Sequence, residues 1–527
     1  MIHERFLRVR PARLLPLLFI AGFLLTLHLD PAPLRAQTLG DDGLPATASL
    51  PLGTVEDVDA VPTPTPLDRV DADRYRQIFE LQAESRWHEA DAIIGRLTDL
   101  RLLGHVLADR YLSDTYRTSY SELASWLARF SDHPDAPRLY ALALKRMPAG
   151  TSPPVEPSVP TFRGGTPDSG TGGENGEWAA GLEAWRQGDA VGAALQFELA
   201  AANAKDVWAR SAAAYWAARS HLRARRPDQV SHWLRIAAEE PRSFYGQLAR
   251  RALGLEATFA WEPQPLTRAG AEALMKSGIG QRALALLQIG QERRAAAEFH
   301  VLRPQAKAEL LQAMLAVAQR YQLPSFAMAA GSVVEEVTGL RNDEALFPIP
   351  SWQPHGGFSV DRALLFAITR QESGFNPSAQ NPSGATGLMQ LIPSTANAVA
   401  KRLGVPASNL RDPSMNLALG QEYVRMLLED PNVRNDLFLM TIAYNAGPGN
   451  LARWIRDVDY QDDPLLFIES IPSRETRQFV ERVMAGLWVY QARLGQATPT
   501  LDAVAAGAWP TYTAQDDSAL AATNVTN

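Results

Sequence analysis

Over residues 71–147 the apolar positions advance by threes and fours. Tyr75, Ile78 and Phe79 are followed by Ala90, Ile93 and Ile94, with Trp87 in the turn between them. That period belongs to one face of an α-helix and is incompatible with the strict alternation of a half-buried strand. The region reads as helical hairpins, with further helices around 123–130 and 139–144. After residue 177 the pattern resumes with more alanine. The octets 194–201 (ALQFELAA) and 231–238 (SHWLRIAA) end in matching aliphatic-Ala-Ala triplets about 37 residues apart, each after a turn signal, Gly188-Asp189 or Pro227-Asp228. Such a repeat, with alanine at close-contact positions, predicts stacked hairpins of the tetratricopeptide kind, with an ordinary helical bundle as the alternative. Trp178, Trp185, Trp208, Trp216 and Trp233 fall at helical spacing and are expected in the core rather than as platforms for a ligand.

The ends of the chain and its breaks divide it. A basic start, the apolar run 14–29 interrupted by Pro16, and the small residue Ala36 read as a signal peptide over 1–36. A membrane anchor, the competing reading, would need about 20 apolar residues. Residues 37–67, ending in the run Val61-Pro-Thr-Pro-Thr-Pro66, are expected to be an extended, solvated tether. Helical hairpins at 68–148, a flexible linker at 149–176 and a superhelical region at 177–342 follow. Pro348, Pro350, Pro354 and Gly356-Gly357 mark a boundary, with a helical domain at 343–496 and a disordered tail at 497–527. The net charge is −7, and −10 without residues 1–36, which carry five Arg and two acids. A mildly acidic chain is not built to coat nucleic acid or an anionic membrane, since both rely on clustered Lys and Arg. With no cysteine there is neither a disulfide nor a lipid attachment site. The nine His are scattered and none has chelating spacing, so no metal or other cofactor is expected.

One carboxylate in the last domain stands out. A helix from about residue 359 to 373 places Leu365, Ile368 and Glu372 on one face, so Glu372 points where the core residues point. Gly374 is a natural left-handed cap, which puts Glu372 at the negative end of the helix dipole. Burial and dipole both raise its pKa. No Asp or Glu occurs from 373 to 410, so that stretch offers no second acid. A carboxyl kept protonated near neutral pH suits a general acid for glycosidic cleavage; the helix alone favours a buried Glu held by hydrogen bonds.

Four motifs then occur in order: Glu372-Ser373; Gly387-Leu388-Met389-Gln390; Ala443-Tyr444-Asn445-Ala446-Gly447; and Ile471-Pro472 with Glu475-Thr476-Arg477. Together they resemble the soluble lytic transglycosylase (SLT) domain. The alanine-rich region before them is similar in composition to the superhelix of the large soluble members, as is Phe244-Tyr245-Gly246 before a further helix. The resemblance implies an all-α fold, an N-terminal superhelical, TPR-like hairpin array followed by a lysozyme-like helical catalytic domain, with any β-structure confined to a small ribbon near 376–385. It implies that Glu372 protonates the leaving oxygen and then acts as base on the muramic acid C6 hydroxyl, with help from the substrate's N-acetyl group, giving a 1,6-anhydro sugar without water. Peptidoglycan glycan strands would be the substrate in the periplasm, with the array guiding the strand or a protein partner. A hydrolytic muramidase and a non-catalytic wall-binding scaffold are the rivals.

The same resemblance carries Ser373 to a hydrogen bond near the acid, against simple capping. Met389 and Gln390 would line the cleft, Met389 with plain core as its alternative. Tyr444 would stand beside the acid and the reacting sugar, whereas Asn445 either meets substrate or holds its own turn. Glu469 would reach the cleft, against a structural hydrogen bond. Glu475 is accounted for by a Ser473 N-cap and the helix dipole. Ser473 and Arg474 stand where an aromatic residue often follows the proline.

Overall fold

A computed structural model describes residues 60–159, 176–303, 306–407 and 409–517. The expected signal peptide, most of the tether, residues 160–175 and residues 518–527 lie outside them. Among the described residues there are 24 helices and no strand, as an all-α chain requires.

The first group comprises α1 (Arg69–Ala83), α2 (Trp87–Ile94), α3 (Leu103–Tyr111), α4 (Tyr120–Arg129) and α5 (Ala136–Arg146). Trp87 opens α2 instead of lying in the turn. Ser119 starts α4 with a reciprocal capping box to Glu122. The second group, α6 (Gly176–Arg186), α7 (Ala190–Ala202), α8 (Val207–Arg223), α9 (Pro227–Ala237) and α10 (Phe244–Ala252), contains both octets. Asp189, Asp206 and Ser243 cap α7, α8 and α10 through side-chain oxygens. Ala212, Ala213, Ala214, Ala217 and Ala218 are all buried on α8, where short side chains let helices approach. Trp178, Trp185 and Trp216 are core residues, with the Trp185 and Trp216 rings edge to face at 5.2 Å, whereas Trp208 and Trp233 are only half-buried.

A third group follows: α11 (Arg268–Lys276), α12 (Gly278–Gln288), α13 (Glu292–Leu302), α14 (Ala308–Arg320), α15 (Pro324–Thr338) and the single turn α16 (Asp343–Leu346). The packing is not in chain order. Helices α1 to α3 share one core with α11 to α15, while α6 to α10 share theirs with the last domain. The run before α1 is extended as expected but not a free tether. The Val61 amide donates to the Leu266 carbonyl at 2.9 Å, and the Gln288 amide brackets buried Leu67 at 3.0 and 2.8 Å. Extended proline-rich backbone has no internal hydrogen bonds, so its polar groups take partners from α12 and from the segment leading into α11. Likewise residues 151–159 of the expected flexible linker dock on α4 and α5, the Ser158 amide bonding the Ser131 carbonyl at 2.9 Å.

The boundary segment is equally well tied. Asp343 is fully buried, bonded by Arg242 and by the Ala260 amide, and Arg493 holds Glu344 at 3.0 Å. Beyond it come α17 (Arg362–Ser373), α18 (Pro393–Leu403), α19 (Pro413–Leu428), α20 (Leu437–Ala446), α21 (Pro448–Asp457), α22 (Pro464–Ser470), α23 (Arg474–Arg493) and α24 (Pro499–Ala505). The 20-residue α23 runs through the core with α17 and α20 against it. The expected ribbon is reduced to two isolated bridges, Gln380 to Thr386 and Thr386 to Leu391. The tail read as disordered is ordered to residue 517. Trp509 packs on Phe438 and Phe467, Tyr512 pairs with Asn435, and Asp516 bonds Arg362 at the start of α17. Asp361 accepts the amides of Gln515 and Asp516, so two aromatics and two acids fix a stretch whose average composition predicts none of this.

Candidate active site

Helix α17 ends at Gly374, which is left-handed (φ 56°), and buried Phe375 follows in the same region (φ 62°). Two successive left-handed residues, one of them bulky, store strain at a site of this kind. Glu372 lies in the last turn, half-buried, and no hydrogen bond or ion pair to its carboxylate is found among the described residues. Burial, and secondarily the charge of Glu475, push its pKa up to about 8. Glu475 is exposed in the first turn of α23. Ser473 caps that helix as expected, but the cap leaves unexplained the effect of the Glu475 charge on Glu372. Glu475 itself belongs to the fourth motif with Thr476 and Arg477, which is the signal that points to it.

The glycine-led motif is built around a backbone turn. Gly387 is left-handed (φ 85°), and a Cβ there would stand 2.1 Å from the Leu410 oxygen and 2.2 Å from Asn416 Nδ2. Asn416, fully buried on α19, uses its whole amide on this turn. It accepts from the Met389 amide at 2.8 Å and donates to the Thr386 and Leu410 carbonyls at 3.0 and 2.9 Å. Nothing in its sequence surroundings singled it out. Met389 has no exposed surface and its sulfur packs on Gly420, so its side chain is core rather than a cleft wall. Gln390, left-handed itself (φ 45°), donates to the Ala379 and Gly387 carbonyls. Its amide nitrogen therefore braces the loop, leaving the side-chain oxygen for a ligand.

Tyr444 reaches across from α20, donating to the Met389 carbonyl at 2.7 Å and stacking on Phe479. Its hydroxyl is held well above its usual pKa by burial and by the nearby Glu372. Glu372, Tyr444 and the 387–390 turn are thus one cluster, which the charge of Glu475 reaches. Asn445 accepts from Thr476 at 2.7 Å, joining the end of α20 to the start of α23. Ser373 bonds the Thr369 carbonyl at 3.2 Å, one turn back, and not the acid. Glu469 goes elsewhere. It is 8% exposed, accepts from the Tyr245 hydroxyl and is hydrogen-bonded to Glu481, so the expected cleft contact is replaced by interior partners.

Folding brings together a potential metal set that spacing did not reveal: His105, His133 and Glu298, all buried. Arg282 holds both Glu298 oxygens at 2.7 and 3.0 Å, and a guanidinium in that place opposes a second cation. The cluster reads as a buried ion network joining α3, α12 and α13.

Residues 353–467 match the family model described as Transglycosylase SLT domain. The soluble lytic murein transglycosylase of Escherichia coli K12 is 36% identical over 149 residues, 28% of this chain and 23% of that protein. The Salmonella typhimurium protein of the same name is 29% identical over 306 residues, 56% of this chain and 45% of that one. The chain thus spans less than half the length of these curated relatives. Two solved structures share the fold. The lytic transglycosylase Slt of Pseudomonas aeruginosa has a TM-score of 0.51 at 24% identity, covering 81% of this chain and 67% of its own. The 70-kDa soluble lytic transglycosylase of E. coli has a TM-score of 0.52 at 21% identity, covering 82% and 72%. These likenesses show a shared all-helical fold, and residues 353–467 are similar to the transglycosylase SLT domain family.

Proposed function

We propose that this chain is a peptidoglycan lytic transglycosylase that breaks the β-1,4 bond between N-acetylmuramic acid and N-acetylglucosamine without water. Neutral Glu372 gives its proton to the departing oxygen as the C1–O bond breaks. The acetamido oxygen of the muramic residue supports the electron-poor C1. Ionised Glu372 then removes the proton of the C6 hydroxyl, O6 closes on C1, and a 1,6-anhydro sugar forms with Glu372 again protonated. Atoms balance with no water consumed. The observation that carries this reading is a carboxyl raised to about 8 with no bonded partner, free to give and retake one proton. Tyr444 would orient the reacting sugar, with Ser373, Asn445 and the Gln390 oxygen as further contacts. The helical region would guide the strand or a protein partner, and the periplasm is the proposed compartment. No helix among the described residues is long and apolar enough to cross a membrane.

Glu475, whose charge acts on the acid, favours one rival, hydrolysis, because a second carboxylate can activate water. Mass spectrometry of products released from sacculi separates the two. Products about 18 Da lighter than the hydrolytic muropeptides, the one water not consumed, support transglycosylation. Full-mass reducing products support the muramidase, and no products from folded protein support a scaffold.

A further inference from the structure

Helix α22 is gripped from the helical region along its whole length. At its start Arg219 of α8 pairs with Asp463 at 2.7 Å, and at its end Arg186 of α6 donates to Ser470 at 2.8 Å. Between them the hydroxyl of buried Tyr245, on α10, donates to Glu469. Directly after α22 come Ile471, Pro472 and the Ser473 cap, and then Glu475, whose charge acts on Glu372, and Thr476, which bonds Asn445. Arg477 donates back to the Ile471 carbonyl, closing the turn.

We propose that Glu469 and Glu481 are positioning residues: a hydrogen-bonded carboxyl pair, Glu469 buried and Glu481 half-buried, anchored by Tyr245, through which helices α6 to α10 hold the 471–476 turn against the Glu372 site. Two carboxyls that hydrogen-bond each other do so through one proton, and the like charge disfavours ionising both. The Tyr245 O–H donates to one Glu469 oxygen, and the Glu469 O–H donates to the Glu481 carboxylate. Arg477 and Arg482 face Glu481 on its own helix, and Tyr215 and Trp216 enclose Tyr245 from α8. Burial raises both acids, which keeps the shared proton in place across neutral pH. The inference deepens the proposed activity and rests on it only for its turnover readout.

Substitutions test it through two measurements on the full chain. The first is the Glu372 titration midpoint, followed by NMR with carbon-13-labelled glutamate and assigned with E372Q. The second is product release from sacculi. In E469A the turn loosens, Glu475 withdraws and the midpoint falls, while kcat drops about tenfold with KM within twofold. E469Q can accept from Tyr245 and donate to Glu481 without any proton, so it restores both readouts. Y245F removes one hydroxyl only and carries the test if E469A does not fold; it also lowers the midpoint. The inference is overturned if E469A and Y245F titrate as wild type, or if E469Q is as impaired as E469A, which would mean that the acid itself meets substrate. The midpoint does not depend on turnover, so a protein without activity would end the transglycosylase reading and leave this one to stand or fall on NMR.

Discussion

Glu372 and Glu469 are both acids withdrawn from water in one domain, and they differ in what surrounds them. Glu469 has a tyrosine donor, a second carboxyl and, beyond it, two arginines. Glu372 has apolar helix neighbours, a tyrosine bonded elsewhere and one like charge. A raised pKa is therefore not by itself a mark of chemistry. A partnered acid is fixed in place by its hydrogen bonds, whereas an unpartnered one keeps its proton available to whatever enters beside it.

Exchanging each acid for its amide should separate the two most widely. E372Q is expected to lose about a thousandfold in product release while E469Q stays within twofold of wild type. Equal losses would erase the distinction. Next in size is the bracing of the Glu372 side, which is backbone where the Glu469 side is side chain. G387A should cost about 2–4 kcal/mol in denaturant melts, since a Cβ meets the Leu410 oxygen in a left-handed turn. A more modest change comes from E475Q. Removing the like charge should lower the Glu372 midpoint and move the alkaline limb of kcat/KM to lower pH; an unmoved limb would mean that burial acts alone. The smallest expected effect lies away from both acids, where D516A releases Arg362 and should cost about 1–2 kcal/mol in a thermal melt without moving the Glu372 midpoint.

The pH dependence of stability sharpens the same contrast. Glu372 has a folded pKa above its unfolded one, so its contribution is complete below about 4.5 and is lost as pH rises through about 8. E372Q cannot ionise. It should therefore melt higher than wild type at pH 9 and alike at pH 4.

Helix and cap were legible in local spacing. Leu365, Ile368 and Glu372 at threes and fours, and Gly374 after them, place Glu372 in the last turn of α17 because a helix end is decided by neighbours in sequence. The motifs located Tyr444 and the Gly387 turn for the same reason. What stayed hidden depends on distant partners. Asn416 lies 27 residues from the amide that it binds, and Glu469 lies 224 residues from Tyr245. The exchange of partners between α1–α3 and α11–α15 left no periodic trace. The proline run and the tail were misread because composition averages over the few residues, Leu67, Trp509 and Asp516, that pin them down.

The most direct test is the titration of Glu372 itself, read from its side-chain carboxyl resonance in the folded wild-type chain. A midpoint near 8 is the predicted result, an acid still protonated at neutral pH with no bonded partner. A midpoint near 4.5 would mean an ordinary solvated carboxylate that cannot serve as the acid, and the proposed reaction would lose its proton.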